Sequence, residues 1–429
     1  MASVEANVQP LERELIIYEK GIPELLELDT PLYGMIDKQE ADPASNRATR
    51  IPLLTQVGGT FQQTSMDGGS LGSTGGPVWQ VATLTPIYFT SGYSYTLLAK
   101  YATTGAARGV KSTTGEVMRL AINQFKAYLD QVMNTSGNGV IGTITSVATN
   151  TFTMTTDGFK EELVQIGQNV QVYNAGLTTA RGSATVTAID RSAHKVTVDA
   201  APGGTVATDV LVIGGLSGAL TTQSSLFGIQ YHQSDATTGT WLGLNRANFP
   251  SQIVTPSVNA NSSALTTGMI RAALNEIRIN IGDEKFKDVA TKLVAYCHPS
   301  QGDAYESLAS LLVQIFKQPT GNQDVDLMFN QDGLKMSNVP VRQSIHQDRT
   351  RIDFLALGFW GRIVGTDTGF VKFGDQILWP LVDTSTGALK ATEQFWLNAG
   401  LQLYNRNPIA GSYIKSLALP AFAGTSSIY

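Results

Sequence analysis

The feature that most constrains this chain is a long stretch that carries almost no charge. From Ile51 to Ala99, Asp67 is the only charged side chain, and residues 57–76 contain seven glycines. An exposed loop of this length normally carries charge, and a buried one would leave backbone groups without hydrogen-bond partners. Ordering about forty residues costs roughly 1–2 kcal/mol each, which contacts within one hairpin do not offset. We therefore expect the segment to rest on a neighbouring protein surface.

Composition supports the same expectation. Charged residues make up 15% of the 429 residues, against about 25% in typical soluble domains. The net charge of −5 argues against a dedicated nucleic-acid or anionic-membrane binder, since either would need a basic face. The single cysteine, Cys297, excludes an intrachain disulfide and fits a reducing compartment. Neither a secretory signal nor a membrane-spanning run is recognisable, so we expect a protein made in the cytosol.

The first half of the chain predicts three successive elements. Residues 1–48 mix charged and apolar residues and predict an N-terminal arm with short helical turns. Residues 49–99 predict a hairpin around a glycine-rich tip, because the end of this stretch alternates with Phe89, Tyr93 and Tyr95 on one strand face. Residues 100–138 contain a predicted long helix that opens with a capping box and closes at Gly137. Its apolar stripe comprises Met118, Ile122, Phe125, Leu129 and Val132.

The second half predicts an all-β module followed by an α+β body. Residues 139–215 consist of short strands separated by turns, which is typical of a small β-barrel or sandwich. Residues 216–429 alternate helices with strands and include one amphipathic helix with Ile270, Leu274, Ile277 and Ile281 on one face. The sequence therefore predicts an α+β fold with an inserted β-module.

Sequence motifs for catalysis are weak. Gly137, Gly139 and Gly142 match the glycine pattern of dinucleotide-binding loops, but they follow a helix and open a strand, whereas phosphate binding needs a strand before the glycines and a helix after them. Cys297 and His298 are adjacent on a predicted strand and would point to opposite faces. The four histidines occur singly, without ligand spacing. We expect no enzyme activity, cofactor or metal.

The densest basic group lies near the end of the chain and has acidic neighbours. It comprises Arg342, Arg349, Arg351 and Arg362, with Asp348 and Asp353 nearby. These charges predict ion pairs between subunits rather than phosphate binding.

The order of these elements resembles the major capsid proteins of tailed bacteriophages. Residues 226–250, "LFGIQYHQSDATTGTWLGLNRANFP", are similar to a segment of that family in which a Gly243–Arg246 step leads to a proline. Residues 395–420, "FWLNAGLQLYNRNPIAGSYIKSLALP", are similar to its closing strands. The resemblance implies an extension loop at residues 51–90, a spine helix at 111–134, and peripheral and axial domains within 216–429. The β-module at 139–215 is an addition to the minimal pattern.

The resemblance also implies a function and partners. The chain would self-assemble, through hexameric and pentameric capsomers, into an icosahedral shell that encloses double-stranded DNA without sequence-specific binding. Scaffolding and portal proteins are expected partners, and a decoration protein is a further candidate; no membrane is involved. The expected location is the virion, with assembly in the host cytoplasm. The predicted interface residues are Phe61, Gln62, Gln63, Met66, Asp67, Leu71, Trp79, Arg246, Arg349, Arg351 and Arg406.

Two alternatives stay open. A bacterial nanocompartment shell would share the fold, and a cargo protein would distinguish it. A β-rich carbohydrate-binding or hydrolytic surface protein built around residues 139–215 would be a soluble monomer that binds glycans. One chemical detail separates this chain from part of the phage family, in which a lysine of the extension loop forms an isopeptide bond with an asparagine of another subunit. Here no lysine occurs between Lys38 and Lys100.

Overall fold

A computed structural model defines the positions of most of the chain. It describes residues 30–40, 49–56, 58, 63, 67, 75–97, 113–155, 164–190, 193–220, 225–316, 329–330, 333–372, 376–382 and 387–420. The predicted helical turns of residues 1–29 lie outside this set.

The helices and strands of the described residues are as follows. The helices are α1 (Pro31–Met35), α2 (Thr113–Met133), α3 (Ile229–His232), α4 (Pro250–Ile253), α5 (Thr267–Ile281), α6 (Asp283–Ala290) and α7 (Pro299–Phe316). The first ten strands are β1 (Lys38–Glu40), β2 (Thr49–Gln56), β3 (Val78–Leu84), β4 (Ile87–Thr96), β5 (Val140–Ala148), β6 (Thr151–Met154), β7 (Asn169–Tyr173), β8 (Ala180–Asp190), β9 (Lys195–Val198) and β10 (Val210–Ile213). The remaining strands are β11 (Thr240–Trp241), β12 (Leu244–Asn245), β13 (Ser257–Ser263), β14 (Leu293–Cys297), β15 (Phe329–Asn330), β16 (Gly333–Met336), β17 (Val339–Gln343), β18 (Ile352–Ala356), β19 (Trp360–Phe370), β20 (Trp379–Val382), β21 (Leu389–Asn405) and β22 (Ser412–Leu417).

The central sheet is organised around β21, a strand of 17 residues. Strand β4 pairs along one side of it, from Ile87 opposite Leu401 to Thr96 opposite Thr392. Strands β19 and β20 pair with different parts of β21, and both overlap the stretch opposite β4, so they share its other side. Strand β1 adds to β19 in parallel. The alternation predicted around Phe89 and Tyr93 is confirmed, because β4 alternates between more and less exposed positions.

Helix α2 packs against the inner face of this sheet. Its predicted apolar stripe is confirmed: Phe125, Leu129 and Val132 are buried in one cluster with Phe395 and Leu397 of β21. The helix ends at Met133, four residues before the predicted closing glycine Gly137 and close to the bound of 134 implied by the family resemblance. The backbone amides of Asn134 and Thr135 bond to carbonyls three residues back, and the side-chain amide of Asn134 donates to the carbonyl of Asp130. These bonds satisfy carbonyl groups in the last turn of the helix, which ends at Met133.

A second sheet of seven strands has the order β13-β22-β18-β14-β17-β16-β15. Strand β14 is buried along its whole length, as the apolar sequence predicts. Helix α5 covers this sheet with Ile270, Leu274 and Ile277, which are buried in the same cluster as Phe354 of β18. The helix ends at Gly282, whose φ of 86° is favourable for glycine.

Between α2 and this body, residues 140–213 form a closed barrel with the strand order β10-β5-β6-β9-β8-β7. Closure leaves no unpaired strand edge within the barrel. Inward-facing side chains from all six strands, such as Ile144, Phe152, Val172 and Val196, fill a separate core. The barrel contacts α2 through a hydrogen bond of 2.7 Å from the amide of Gln124 to the side-chain carbonyl of Gln165.

A residue that lies beyond the predicted boundary at 215 also packs on the barrel. Leu220 is buried in a second cluster with Tyr173, Val210 and Val212. Its backbone amide donates to the carbonyl of Leu177 at 2.7 Å. The packing of Leu220 on β7 and β10 and its hydrogen bond to the loop between β7 and β8 therefore tie this residue to the barrel.

These contacts predict how the barrel behaves as an isolated fragment. Residues 139–220 should give a β-rich circular dichroism spectrum and a cooperative melt, because the core and the strand pairing are contained within them. Leu220→Ala should lower the free energy of unfolding of this fragment by about 2–5 kcal/mol, as is typical of a buried leucine. Val206→Ala is the control: Val206 is 49% exposed, and its loss should change stability by less than about 0.5 kcal/mol. A disordered fragment would contradict the prediction.

Candidate subunit interface

The uncharged stretch begins as a hairpin of β2 and β3. The two strands pair antiparallel, with Pro52 opposite Val81 and Leu53 opposite Gln80. Directly opposed residues share a face, so the hairpin has two distinct faces. The predicted hairpin is therefore present, but it is shorter than residues 49–99 because β4 pairs with β21 instead of continuing it.

The inner face of the hairpin packs on its own subunit. Ala82 and Leu84 are fully buried against Trp241, Leu242 and Ile253, with Ile51 and Leu53 partly buried beside them. The backbone amide of Thr83 also donates to the carbonyl of Leu242 at 3.2 Å. This packing fixes the base of the hairpin and leaves the opposite face outside.

The inner face of the hairpin packs on a tight turn between β11 and β12. Leu242 and Gly243 form its two central residues, and both have positive φ, 49° and 85°. This conformation favours glycine and is uncommon for leucine. The Leu242 side chain is nonetheless buried under the hairpin, and its backbone amide donates a hydrogen bond to the Tyr231 hydroxyl oxygen at 2.8 Å. Burial and hydrogen bonding hold the turn in place.

A buried histidine joins this turn to the central sheet. His232 is completely buried. Its Nε2 lies 3.1 Å from the carbonyl of Leu403 and its Nδ1 accepts a hydrogen bond from Trp241 Nε1 at 3.3 Å. These two contacts require the neutral ring with its proton on Nε2. Burial lowers the pKa of His232 from its ordinary value of 6.5 to about 3, because desolvation penalises the charged ring.

The outer hairpin face, which comprises Arg50, Pro52, Trp79, Val81 and Thr83, is exposed. Trp79 is 59% exposed and Val81 is 50% exposed. Among the described residues of this face, Arg50 at its base is the one charged side chain. Trp79 and Val81 lie on the same exposed face of one strand, which makes this face a candidate interaction surface.

A second uncharged surface lies on the central sheet. The outer sheet face, which we define as Tyr88, Thr90, Gly92, Trp396, Asn398 and Gly400, consists of opposed residues of β4 and β21. Tyr88 is 52% exposed and Trp396 is 40% exposed. Each ring lies over a glycine: an added β-carbon would come within 2.8 Å of the Trp396 ring at Gly92 and within 2.4 Å of Tyr88 at Gly400. The two glycines let both rings lie flat on the sheet.

The predicted interface residues are distributed over several environments. Phe61, Gln62, Met66 and Leu71 lie outside the described residues, whereas Gln63, Asp67 and Trp79 are exposed. Arg246 is 4% exposed and donates to the carbonyls of Ser234 and Tyr231 within its own chain. Arg406 is exposed and lies beside Tyr404, and Arg349 is half-buried.

Arg351 is held by contacts within the subunit. Its Nη2 donates to Asp353 at 2.7 Å and to the carbonyl of Gln233 at 2.6 Å, and its guanidinium lies 3.9 Å from the centre of the Tyr413 ring. Asp353 is fully buried. These intrachain contacts account for both Arg246 and Arg351 without a neighbour; a role for either at a subunit interface stays a prediction.

Three surface residues were missing from the sequence prediction: Val81, Tyr88 and Trp396. Val81 and Tyr88 lie inside the uncharged stretch and could have been found from it. Trp396 could not, because its exposure depends on β21 pairing with β4, 300 residues away in sequence.

The described residues show no arrangement typical of an active site. They contain no group of three or more histidine, cysteine, aspartate or glutamate side chains placed to hold a metal ion. Burial raises the pKa of the Cys297 thiol to about 12, so it stays protonated and unreactive at neutral pH. No helix in the described part of the chain is long and apolar enough to cross a membrane.

Comparison with solved structures identifies the fold. A chain of the Cyanophage A-1(L) capsid asymmetric unit matches over 94% of this chain and 97% of its own length, with 13% sequence identity and a TM-score of 0.55. The capsid of a native GTA particle (94% and 96% covered, 10% identity, TM-score 0.45) and the holo-SrpI encapsulin complex from Synechococcus elongatus PCC 7942 (96% and 96% covered, 9% identity, TM-score 0.46) match with lower TM-scores. No protein-family profile and no curated protein sequence matches this chain.

The chain therefore has the α+β fold of a tailed-phage capsid protein. The match to the cyanophage capsid chain covers nearly the whole molecule, so the fold class implied by the resemblance in sequence is confirmed. In this chain the barrel of residues 140–213 lies in sequence between α2 and the seven-stranded sheet.

The buried histidine predicts a defined dependence of stability on pH. His232 has a folded pKa of about 3, below its ordinary 6.5, so the unfolded chain binds more protons than the folded one between these values. Stability should be lost as pH falls through this window. From pH 7 to pH 5 the loss due to this residue should be about 2 kcal/mol, measured by urea unfolding.

The control is His232→Gln, whose amide can donate to Leu403 and accept from Trp241 but does not titrate. The difference in unfolding free energy between wild type and this variant should shrink by about 2 kcal/mol over the same range. A difference that is independent of pH would show that the ring is not kept neutral by the fold.

Proposed function

We propose that this protein is the structural subunit of an icosahedral shell that encloses double-stranded DNA. The observation that carries the proposal is the outer hairpin face: an anchored hairpin that displays Trp79 and Val81 away from its own subunit. The match in fold to a cyanophage capsid chain supports it.

The energetics of the hairpin favour a contact between copies. Its inner face already packs on the subunit, so further stabilisation of the outer face must come from another surface. Burial of apolar area contributes about 25 cal/mol per Å², and large aromatic side chains often dominate such contacts. A face with little charge avoids the cost of desolvating ions each time the contact forms. A contact repeated in every subunit of a shell benefits from this composition.

The partners of the shell follow from the same proposal. The first partner is the chain itself, in hexameric and pentameric capsomers. Scaffolding and portal proteins, and a decoration protein, would join it in a virion assembled in the host cytoplasm. The net charge of −5 supports enclosure of DNA rather than sequence-specific binding. We propose no enzymatic activity for the subunit.

Electron microscopy of the purified protein tests the proposal directly. We expect closed shells or capsomer rings in negative stain, with or without an added scaffolding protein. Strictly monomeric protein at high concentration in the presence of scaffold would overturn the proposal. Shells that enclose a protein cargo and no DNA when purified from the native source would indicate a nanocompartment instead.

A charge on the outer hairpin face should block assembly without unfolding the subunit. Val81→Lys places an ammonium where the proposed contact excludes water, so the protein concentration needed for assembly should rise at least about tenfold, equivalent to about 1.4 kcal/mol per contact. The measurement is light scattering against concentration, with circular dichroism to monitor folding.

Two further substitutions serve as controls for this experiment. Thr187→Lys, at an exposed position of the barrel, should leave assembly unchanged if charge alone is harmless. Ala82→Lys, on the buried inner face, should instead destabilise the free subunit. Normal assembly of the Val81→Lys variant would show that the outer hairpin face is solvent-facing in the shell.

The absence of a lysine from Lys38 to Lys100 predicts that the shell is not cross-linked through the hairpin. Isopeptide formation needs an amine at this position, so stability should come from packing and hydrogen bonds between subunits. Boiled mature particles should run as single chains of 45.9 kDa on a denaturing gel. A ladder of covalent multimers would contradict the prediction.

A further inference from the structure

An asparagine followed by a glycine lies where the chain passes from α2 into the barrel. The main chain is fixed on both sides of this Asn138–Gly139 step. The carbonyl of Gly137 accepts a hydrogen bond from the amide of Ser225 at 3.0 Å, and the carbonyl of Gly139 accepts one from the amide of Ile213 at 2.9 Å. Gly139 has a φ of 70°, a conformation that favours glycine. The fold therefore holds this step in one conformation.

Two hydrogen bonds hold the side-chain carbonyl of Asn138. Its Oδ1 accepts from the Ser136 hydroxyl at 2.8 Å and from the backbone amide of Val140, two residues further on, at 3.3 Å. The bond from Val140 closes an Asx turn, which folds the side chain over the peptide bond between Asn138 and Gly139. Because a backbone N–H can only donate, this bond also fixes which atom of the side-chain amide is the oxygen.

The other two groups that a cyclisation of this step would use are without hydrogen bonds. Among the described residues, neither the Nδ2 of Asn138 nor the backbone N–H of Gly139 has a hydrogen-bond partner. Asn138 is half-buried and Ser136 is exposed, so water reaches the side chain. A glycine after the asparagine leaves no β-carbon to obstruct its own nitrogen.

We propose that Asn138 is a site of spontaneous modification, at which the hydrogen bonds to Oδ1 promote cyclisation to a succinimide that opens to aspartate and isoaspartate. The Gly139 nitrogen loses its proton to hydroxide and attacks Cγ of Asn138. The N–Cγ bond forms, the Cγ–Nδ2 bond breaks, and Nδ2 takes up a proton from water and leaves as ammonia. One water molecule then opens the ring at either of its two carbonyls. The proposal is independent of the shell function.

The two hydrogen bonds to Oδ1 favour this reaction electrostatically. Attack on Cγ places negative charge on Oδ1, the atom to which the Ser136 hydroxyl and the Val140 amide already donate. Donors that are fixed where charge develops stabilise the transition state, as in the oxyanion holes of acyl-transfer enzymes. The fold therefore activates the carbonyl, and the solvent supplies the base.

The products change the entrance to the barrel. Aspartate adds a negative charge at Asn138. Isoaspartate also routes the main chain through Cβ and Cγ, which inserts one extra atom between α2 and β5. Because the carbonyl of Gly139 is bonded to the amide of Ile213 directly after this point, the modification acts on the attachment of the barrel rather than on its core.

Peptide mapping by mass spectrometry on the aged full-length protein tests the proposal. The folded protein is incubated at neutral and at mildly alkaline pH, and an isoaspartate-specific methyltransferase detects the second product. Asn259 is the internal control: its Oδ1 also accepts from a backbone amide two residues further on, that of Asn261 at 3.0 Å, but the next residue is Ala260. Asn138 should convert at least about tenfold faster than Asn259. Its conversion should be faster at the higher pH, because the nucleophile is the deprotonated amide.

A matched pair of serine variants tests the role of the hydrogen bonds. Ser136→Ala removes one donor to Oδ1 at an exposed position, so the fold is retained and conversion of Asn138 should slow by about two- to tenfold, as expected for one hydrogen bond. Ser146→Ala, at an exposed position of β5, should leave the rate unchanged.

The contradicting outcomes are distinct. Equal rates at Asn138 and Asn259 in the folded protein would overturn the proposal. An unchanged or faster rate in the Ser136→Ala variant would show that the hydrogen bonds do not promote the reaction, which also overturns it. Neither outcome bears on the shell function, which electron microscopy tests separately.

Discussion

The structure depends on the pairing of β21 with its neighbours. This strand of 17 residues holds β4 along one side and β19 and β20 along the other. Its buried side chains, including Phe395 and Leu397, form the surface on which α2 packs. Its carboxyl-terminal part also supplies the carbonyl of Leu403 to His232, which supports the turn beneath the hairpin. The central sheet, the long helix and the hairpin are therefore all positioned by one strand.

This arrangement explains why the outer hairpin face has one fixed orientation relative to the rest of the subunit. Ala82 and Leu84 face inward onto Trp241 and its neighbours, and strand alternation then directs Val81 outward. The support beneath them is itself tied to β21 through His232 and Trp241. A hairpin that depended on its own two strands would be marginal in water. Here its base is fixed by the body of the subunit, so the outer hairpin face has a defined orientation.

Features of the fold that depend on local periodicity could be predicted from the sequence. The apolar stripes of α2 and α5 and the alternation of β4 follow from helix and strand geometry alone. The partner of β4 could not be predicted, because β4 and β21 are about 300 residues apart and nothing in either strand specifies the other. The helix α2 ends four residues before the glycine predicted to close it and within one residue of the bound implied by the family resemblance, and the Asn134 side chain bonds to the carbonyl of Asp130 at this end.

The candidate interface shows the same division. The absence of charge over a long stretch is visible in sequence, and it directed attention to Trp79, which the structure places on an exposed face of the hairpin; its place at a subunit interface stays a prediction. The arginines among the predicted interface residues gave no comparable indication of where the fold places them. Arg351 and Asp353 are two residues apart and were expected to meet a neighbour, but Asp353 is fully buried and pairs with Arg351 in the same subunit. A charged residue in a sequence carries no indication of whether the fold places it inside or outside, since that depends on the packing of distant elements.

The attachment of the barrel has a consequence for how the gene can change. The chain enters at Gly139 and leaves at Ile213, and the amide of Ile213 donates to the carbonyl of Gly139 at 2.9 Å. The residues at which the chain enters and leaves the six strands are thus hydrogen-bonded to each other. The distance between these two residues is therefore independent of the length and sequence of the segment that joins them. Gln165 contacts α2, Ile213 packs on the body and Leu220 packs on the barrel. Substitutions elsewhere on the outside of the six described strands should therefore need no compensating substitution in the body.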